Sequence, residues 1–211
     1  MKRLLLLCVL CTSVAVLPAQ TRRRVFSRIM TGEPYTLECY LPQITNGPNF
    51  PAWSPDGKEL AFAMKGSIWR LKLGETTAQE LTTDRGYASQ PAWSPDGRWI
   101  VYTSDLDETI HLKLLNLASG ETRALTFGNS INVEPEWSPD GERLAYVSTH
   151  PNGNYNIYLL PLANGVPGVP RPLTRDFPLV PPTVYYGGWA LHIHPTWTRD
   201  GKELILVSNR S

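Results

Sequence analysis

One seven-residue motif occurs four times along the sequence and limits the available folds more than any other feature. It reads Pro-x-Trp-Ser-Pro-Asp-Gly and begins at Pro51, Pro91, Pro135 and Pro195, and the fourth copy has Thr-Arg in place of Ser-Pro. Successive motif tryptophans lie 40, 44 and 60 residues apart. A unit that recurs at such a period is typical of repeat proteins. The residues that define the repeat are Trp53, Asp56, Gly57, Trp93, Asp96, Gly97, Trp137, Asp140, Gly141, Trp197, Asp200 and Gly201.

Each copy of the motif predicts a tight turn between two strands. Proline presets φ for the second turn position, Asp suits the third, and Gly tolerates a positive φ at the exit. The serine hydroxyl can bond forward to the turn backbone, as that of Thr198 can. An apolar run follows each turn and suits a strand that is covered on both faces. An alternating run and a polar turn come next, and a short strand then ends in Leu-Thr at 81–82, 125–126 and 173–174.

Four short antiparallel strands in about 40 residues are the signature of a β-propeller blade. The 19 prolines and 16 glycines agree, because they argue against long helices. We therefore predict an all-β fold, a β-propeller of four-stranded antiparallel blades that is incomplete in this chain. The predicted parts are an extension at 20–46 with a candidate ring-closing strand at 40–45, full blades at 47–83, 87–127 and 131–174, an aromatic and Pro-rich insertion at 175–191, and a partial blade at 192–211.

The repeat resembles the WD-like repeat of TolB-type β-propellers over roughly residues 35–211. Arg199 departs from the motif proline, although the Asp and Gly after it keep the turn. The resemblance implies a ring of about six blades, so we expect the chain to be the N-terminal part of a longer protein. Residues 185–197 with 207–210 are also similar to exported amidohydrolase-type hydrolases, in which such a propeller precedes the catalytic domain. Prolyl-oligopeptidase relatives share that plan.

The first 19 residues have the layout of a secretory signal peptide. Lys2 and Arg3 give a positive start, residues 4–17 are apolar, and Ala19 offers a small residue for cleavage. The alternative is an uncleaved anchor, although the apolar run is shorter than the roughly 20 residues of a bilayer span. We expect an exported protein, periplasmic or secreted, with no membrane span after cleavage. Cys39 is then the single cysteine, so no intrachain disulfide forms, and a buried small residue is its commoner role.

No pattern in the sequence predicts a catalytic residue, a cofactor or a metal site. His192 and His194 have the spacing of a metal-binding pair, because alternate residues of a strand point the same way. They align, however, with ordinary first-strand positions at 88–90 and 132–134, and no further ligands follow. Residues 105–108 lack the glycine and spacing of a calcium loop and indicate a solvated acidic turn at a hairpin tip. No Gly-x-Ser-x-Gly elbow and no phosphate-binding loop occur.

The predicted strand order places the loops on two opposite faces of the blades. Loops after the first and third strands share one face, and loops after the second strand share the other face with the blade-to-blade links. The link before Trp197 is 12 residues longer than the others and rich in aromatic residues and prolines. We interpret its face, centred on Tyr185, Tyr186, Trp189 and His192, as the surface that contacts a substrate, partner or catalytic domain. The alternative is a loop that plugs the channel mouth or packs on a neighbouring domain.

Charge and motifs together leave two functions open. With 20 basic and 19 acidic residues the net charge is +1, which gives no basic field for nucleic acid. We expect a protein partner or a C-terminal catalytic domain instead. The first function is an exported, non-catalytic binding or scaffolding propeller. The alternative is the propeller portion of an exported metal-dependent amidohydrolase or prolyl-oligopeptidase-like hydrolase, with its catalytic domain beyond residue 211.

Overall fold

The computed structural model describes residues 47–83, 86–106, 109–175 and 191–208. In these ranges the chain forms fifteen β-strands in four antiparallel sheets, which we call blades 1 to 4 in chain order. Several predictions lie outside the described residues: the signal peptide, the extension with Cys39 and its candidate ring-closing strand, and the part of the insertion that holds Tyr185, Tyr186 and Trp189.

The strands follow one another in space as they do along the chain. Blade 1 contains β1 (Asn49–Trp53), β2 (Glu59–Met64), β3 (Ser67–Lys72) and β4 (Gln79–Glu80). Blade 2 contains β5 (Tyr87–Trp93), β6 (Trp99–Leu106), β7 (Thr109–Asn116) and β8 (Thr122–Ala124). Blade 3 contains β9 (Asn132–Trp137), β10 (Arg143–Ser148), β11 (Asn156–Ala163), β12 (Val166–Pro167) and β13 (Arg171–Pro172). Blade 4 contains β14 (His192–Trp197) and β15 (Leu204–Ser208).

This architecture confirms the predicted fold class. The described residues are all-β, and blades 1 and 2 are four-stranded antiparallel sheets in the order of the sequence. Blade 3 differs in its outer strand, which is split: β12 pairs with the C-terminal end of β11, and β13 pairs with its N-terminal half. Prolines at 167, 170 and 172 supply no N–H to the ladder, so a continuous outer strand would leave carbonyls unpaired.

The hydrophobic core lies between blades rather than within them. β6 shows the arrangement, because Ile100 and Tyr102 pack toward blade 1 while Val101 packs toward blade 3, and all three side chains are fully buried. Burial on both faces explains why the strands after the turns are apolar at successive positions. The core between blades 1 and 2 comprises Ala61, Ala63, Ile68, Ala88, Ile100, Tyr102 and Leu115. The core between blades 2 and 3 comprises Val101, Leu112, Leu114, Leu125, Trp137, Leu144, Tyr146, Tyr158, Leu160 and Leu162.

A hydrogen bond from the motif tryptophan joins each blade to the one before it. The indole N–H of Trp93 donates to the carbonyl oxygen of Ala52 at 3.1 Å, and that of Trp137 donates to Ala92 at 3.2 Å. Trp197 repeats the bond to Glu136 at 3.3 Å. In each pair the acceptor immediately precedes the motif tryptophan of the preceding blade. One residue type therefore supplies both apolar area and a polar bond at each junction.

The Leu-Thr pair ends each complete blade through two bonds to the third strand. In blade 1 the N–H of Leu81 donates to the carbonyl oxygen of Ile68, and the N–H of Ile68 donates to the Thr82 hydroxyl, at 2.8 and 2.9 Å. The same pattern recurs in blades 2 and 3. A threonine hydroxyl thus takes the place of a backbone acceptor where the last strand turns away.

The two end blades keep apolar side chains exposed. Trp53 of blade 1 is 58% exposed, and Ile205 and Val207 of blade 4 are 64% and 52% exposed. The corresponding positions of the middle blades are covered by a neighbouring blade, which agrees with the predicted incomplete propeller. Across the described ranges there is no helix long and apolar enough to cross a membrane.

We expect Trp137→Phe to lower the free energy of unfolding more than Trp53→Phe. Trp137 is 8% exposed, and its loss leaves the Ala92 carbonyl without its donor, which costs about 1–3 kcal/mol for a buried group. Trp53 is the matched control, because it occupies the same motif position with most of its side chain in solvent. Urea denaturation followed by circular dichroism measures both effects. Equal losses in the two variants would contradict the proposed importance of the bond between blades.

Candidate functional site

The Ser-Pro-Asp-Gly turns are held by a repeated set of side-chain bonds. In blade 3 the Ser138 hydroxyl donates to Asp140 Oδ1 and accepts the N–H of Arg143 at 2.9 Å, while Asp140 Oδ1 also accepts the N–H of Glu142 at 2.9 Å. The other turns have the same bonds, with Thr198 in place of serine in blade 4. The glycine that closes each turn has a φ near +70°, as at Gly141 with 71°. A side chain at that position would be strained.

The turn aspartates have lowered pKa values. The hydroxyl of Ser54, Ser138 or Thr198 is the main cause for Asp56, Asp140 and Asp200, and the backbone N–H two residues on adds to it. At Asp96, burial opposes the shift, but bonds from Ser94 and Arg98 still lower the pKa. A carboxylate that accepts these bonds is stabilised as the anion. An aspartate held in this way is poorly suited to act as a proton donor near neutral pH.

Adjacent turns also touch one another. A Cβ placed on Gly97, Gly141 or Gly201 would lie 3.9, 3.6 or 3.4 Å from Cδ of the turn proline in the preceding blade. The turns therefore form a row along one face, which we call the turn face. Arg199 stands where the fourth proline would be, and the turn bonds around it are intact.

The first strand of every blade contains an irregularity three residues before the motif tryptophan. Phe50, Gln90, Glu134 and His194 have φ values of 52°, 48°, 55° and 54°, in the left-handed region that non-glycine residues seldom adopt. The pairing register with the second strand shifts at this point in all four blades. These features are those of a β-bulge, which redirects a side chain and releases a backbone N–H from the ladder.

In blades 3 and 4 the released N–H is bound by a side chain of the preceding blade. The N–H of Glu134 donates to Gln90 Oε1 at 3.0 Å, and the N–H of His194 donates to Glu134 Oε2 at 2.7 Å. Glu134 Oε1 also lies 3.1 Å from His194 Nδ1. Gln90, Glu134 and His194 thus form a continuous row across blades 2 to 4, which we call the bulge row. The first strands of neighbouring blades also contact one another, which keeps this row together.

The bulge separates the two histidines that the sequence places at a metal-like spacing. The His192 side chain is buried at 4% exposure, whereas the His194 side chain is 63% exposed and lies beside Glu134. The spacing argument assumed regular alternation along the strand, and the left-handed residue at 194 breaks it. Among the described residues, no three His, Cys, Asp or Glu side chains are grouped closely enough to hold a metal ion.

Asp105 differs from its predicted place in a solvated turn at the hairpin tip. It lies within β6, paired with Tyr87 on one side and Ile110 on the other, because β6 and β7 continue pairing as far as Leu106 and Thr109. Burial raises the pKa of the Asp105 carboxyl. The next two acidic residues lie outside the described residues.

The links and the second-strand hairpins share the face opposite the turns, which we call the link face. The N–H of Ala88 donates to the carbonyl oxygen of Gly66 at 2.8 Å, so the link after blade 1 ends beside a hairpin. Ile131 is fixed in the same way by Thr149, with bonds of 3.0 and 2.9 Å. Leu191 bridges Tyr155 in a parallel arrangement. The described contacts therefore follow the arrangement of faces expected from the strand order.

Both ends of the long insertion are anchored at one place on the link face. Thr174 accepts the N–H of Ile157 at 2.9 Å at its beginning, and the N–H of His192 donates to the carbonyl oxygen of Tyr155 at 2.9 Å at its end. His192 is the one residue of the predicted binding centre that the structure describes, and its ring is buried. It therefore fixes the end of the insertion rather than facing solvent.

The repeat and its geometry match one protein family. The model of the TolB beta propeller domain matches residues 42–164, more than half of the chain. The chain belongs to the TolB beta propeller domain family. Among curated proteins, none matches the sequence.

Solved structures with the same fold include proteins that carry the TolB name. TolB from Acinetobacter baumannii is 24% identical with a TM-score of 0.61, and the match covers 76% of this chain and 37% of that one. A candidate TolB from Agrobacterium tumefaciens is 21% identical with a TM-score of 0.55, over 62% of this chain and 50% of that one. This TolB-type chain thus spans at most half the length of either. A prolyl endopeptidase structure is 12% identical with a TM-score of 0.55, over 76% of this chain and 24% of that one.

The sequence did not predict the bulge row of this TolB-type propeller. Its one sequence signal is that each left-handed residue directly precedes the motif proline, a position that ordinarily favours extended backbone. The residue types differ from blade to blade, so no repeat in composition marked them. The sequence also did not predict the role of Arg143, whose Nη2 donates to the carbonyl oxygen of Gly201 in blade 4, because the residue at its position differs from blade to blade.

We expect Ser138→Ala to raise the pKa of Asp140 toward its ordinary value of 3.8. A carboxyl whose folded pKa is lowered contributes stability above its unfolded pKa and loses it as the pH falls through the folded pKa. At neutral pH the variant therefore has a lower free energy of unfolding than the unsubstituted protein. Its free energy of unfolding also decreases less than that of the unsubstituted protein when the pH falls below about 4. NMR titration of the Asp140 carboxyl, with urea denaturation at each pH, measures both. Ser138→Thr is the control and keeps the lowered pKa, as Thr198 does for Asp200; an unchanged pKa in Ser138→Ala would refute the explanation.

We expect Glu134→Ala to speed hydrogen exchange of the His194 amide by roughly tenfold or more, because the N–H loses its acceptor while the strand remains. Glu134→Gln is the matched control, since a glutamine already performs this role one blade earlier. Hydrogen exchange followed by NMR or mass spectrometry measures the rates. Protection of His194 that survives the alanine substitution would show that the bulge row does not hold the junction.

Proposed function

We propose that this chain is an exported, non-catalytic propeller segment that binds a protein partner through the link face. The observation that carries the proposal is the anchoring of both ends of the insertion beside β11, at Tyr155 and Ile157. A loop anchored on a packed scaffold loses less conformational freedom when it binds. Loops on rigid scaffolds are where binding residues concentrate.

The composition of the insertion supports the same conclusion. Its sequence contains Tyr185, Tyr186 and Trp189 together with two consecutive prolines. Tyrosine and tryptophan are enriched in the centres of protein interfaces, because they combine large apolar area with a polar group. The proposed contact surface is centred on these three residues, and His192 holds the end of the segment against blade 3.

The proposal that the segment is non-catalytic rests on the polar side chains of the described residues. The turn aspartates bind their own turns, and the bulge row binds blade to blade. These side chains already form structural hydrogen bonds. None of them is therefore placed as a general base or nucleophile beside a second catalytic group. Export through a signal peptide ending at Ala19 belongs to the same proposal.

A hydrolase is the second candidate. The fold likeness to a prolyl endopeptidase supports it at the level of architecture, and residues 185–197 resemble the amidohydrolase-type proteins. In this candidate the propeller carries the catalytic domain, either a metal-dependent amidohydrolase or a prolyl-oligopeptidase-like hydrolase, beyond residue 211. The link face then packs against that domain.

Photo-crosslinking in the native host tests the proposal. A photoreactive amino acid at position 186 is expected to give a discrete crosslinked product, and the same group at Lys202 on the turn face serves as the control. Tyr185→Ala together with Trp189→Ala should remove that product. A crosslinked protein of a different sequence supports partner binding, and a product within a longer form of this chain supports the hydrolase candidate.

Two results would overturn the proposal. The first is the same crosslinking pattern from positions 186 and 202, which would remove the link face as the binding surface. The second is saturable hydrolysis by the purified chain of 211 residues that a single substitution abolishes. Sequencing of the mature N-terminus tests export separately and should begin at Gln20.

A further inference from the structure

The turn face has a position whose side chain differs at each junction between blades. It is the sixth residue after the motif tryptophan: Glu59 in blade 1, Trp99 in blade 2 and Arg143 in blade 3. Because the turns superimpose in their bonding, these three residues begin at equivalent places. What each side chain does decides whether the groove between two adjacent turns is filled.

Arg143 fills the groove between blades 3 and 4. Its guanidinium carbon lies 4.7 Å from the centre of the Trp197 ring. Its Nη2 donates to Asp140 Oδ2 at 3.0 Å and to the carbonyl oxygen of Gly201 at 3.2 Å. The groove thus offers an aromatic face, a carboxylate and a carbonyl, which together match a planar cation with several donors.

Trp99 occupies the equivalent position between blades 2 and 3. Its partly buried indole packs against the core that these two blades share. The guanidinium of Arg123 lies 5.8 Å from the Trp99 ring. At both of these junctions, therefore, the side chain at this position packs toward the next blade.

Among the residues that the structure describes, no side chain fills the groove between blades 1 and 2. Glu59 Oε2 forms an ion pair with Nη1 of Arg70 on β3, at 3.5 Å. A cavity of about 550 Å³ remains between the turns of blades 1 and 2. Its lining includes Asp56, Glu59, Trp93 and Gly97, which are the counterparts of Asp140, Arg143, Trp197 and Gly201. Asp56 and the Gly97 carbonyl correspond to the two acceptors of Arg143 in the groove between blades 3 and 4, and none of the described contacts places a guanidinium on them.

The acceptor in this groove that is most available to an incoming cation is the carboxylate of Asp56. Its Oδ1 is used by the turn, accepting from Ser54 and from the N–H of Lys58 at 2.7 and 3.1 Å. Its Oδ2 has a contact of 3.9 Å to the ammonium of Lys58, whose side chain is 79% exposed. Such a long, exposed ion pair contributes little, so an incoming cation can displace it at small cost.

We propose that this groove binds an arginine side chain of a partner protein, in the way that Arg143 occupies the groove between blades 3 and 4. The guanidinium stacks on Trp93 and donates to Asp56 Oδ2 and to the carbonyl oxygen of Gly97. Arginine fits better than lysine, because its planar fork reaches two acceptors while lying flat on an indole. The site is on the turn face, so it is independent of the link face and of the function proposed for it.

Titration of the protein with a capped Gly-Arg-Gly tripeptide tests the site, with the indole N–H signal of Trp93 in the NMR spectrum as the readout. We expect a saturable shift of that signal. The isosteric citrulline tripeptide, which lacks the charge, should bind about tenfold or more weakly, and the lysine tripeptide should also bind more weakly than arginine. Equal binding of citrulline and arginine, or a shift caused by calcium chloride alone, would overturn the proposal.

Two variants and one control variant separate the site from the fold. Glu59→Arg supplies this chain's own guanidinium and should abolish peptide binding. Asp56→Asn keeps the Oδ1 acceptor of the turn and should weaken binding about tenfold, whereas Asp200→Asn makes the same change in the turn of blade 4 and should leave binding unchanged. Unchanged binding in Asp56→Asn would refute the site. Self-association of the protein that Glu59→Arg abolishes would assign the arginine to a second copy and overturn the assignment to a partner.

Discussion

The bond from a tryptophan indole to the backbone of the preceding blade is the interaction on which the rest of the structure depends. A first strand lies at the edge of its sheet, and edge strands leave backbone groups that must find other partners. The carbonyls of Ala52, Ala92 and Glu136 find them in the next blade. The same tryptophans also bury apolar area at the junctions. They therefore determine together the distance between neighbouring blades, the alignment of their first strands and the burial of the core between them. The turn contacts and the bulge row follow from that spacing.

The elements that the sequence predicted well are those whose cause is local. Ser-Pro-Asp-Gly encodes its own turn, because the hydroxyl, the carboxylate and the glycine φ all act within six residues. The bulge at Glu134 or His194 has no such local cause, since the acceptor of its N–H lies 44 or 60 residues away. The split outer strand of blade 3 is an intermediate case. Its prolines are evident in the sequence, but the sequence did not predict that they would divide the strand into two pairing segments. Of the predicted binding centre, His192 was correctly aligned with first-strand positions, but its burial depended on contacts with blade 3.

The two binding surfaces proposed for this propeller would arise in different ways. On the link face the proposed cause is added length, where a segment is inserted between two fixed points. On the turn face the proposed cause is a change of side chain, where Glu59 takes the place that Arg143 has in blade 3 and pairs with Arg70 instead. The second route requires no insertion and would pass unnoticed in any comparison of loop lengths. Repeat proteins allow it because each unit provides an internal reference for the others.

The repeated hydrogen bonds between blades also have a direction. The indole N–H and the bulge N–H of a later blade both donate to acceptors of the earlier one, whereas the Arg143 side chain donates the other way, to Gly201. A blade that leaves the ribosome therefore meets a surface whose acceptors are already in place. Growth of the structure can follow the order of synthesis, with each finished blade serving as the template for the next.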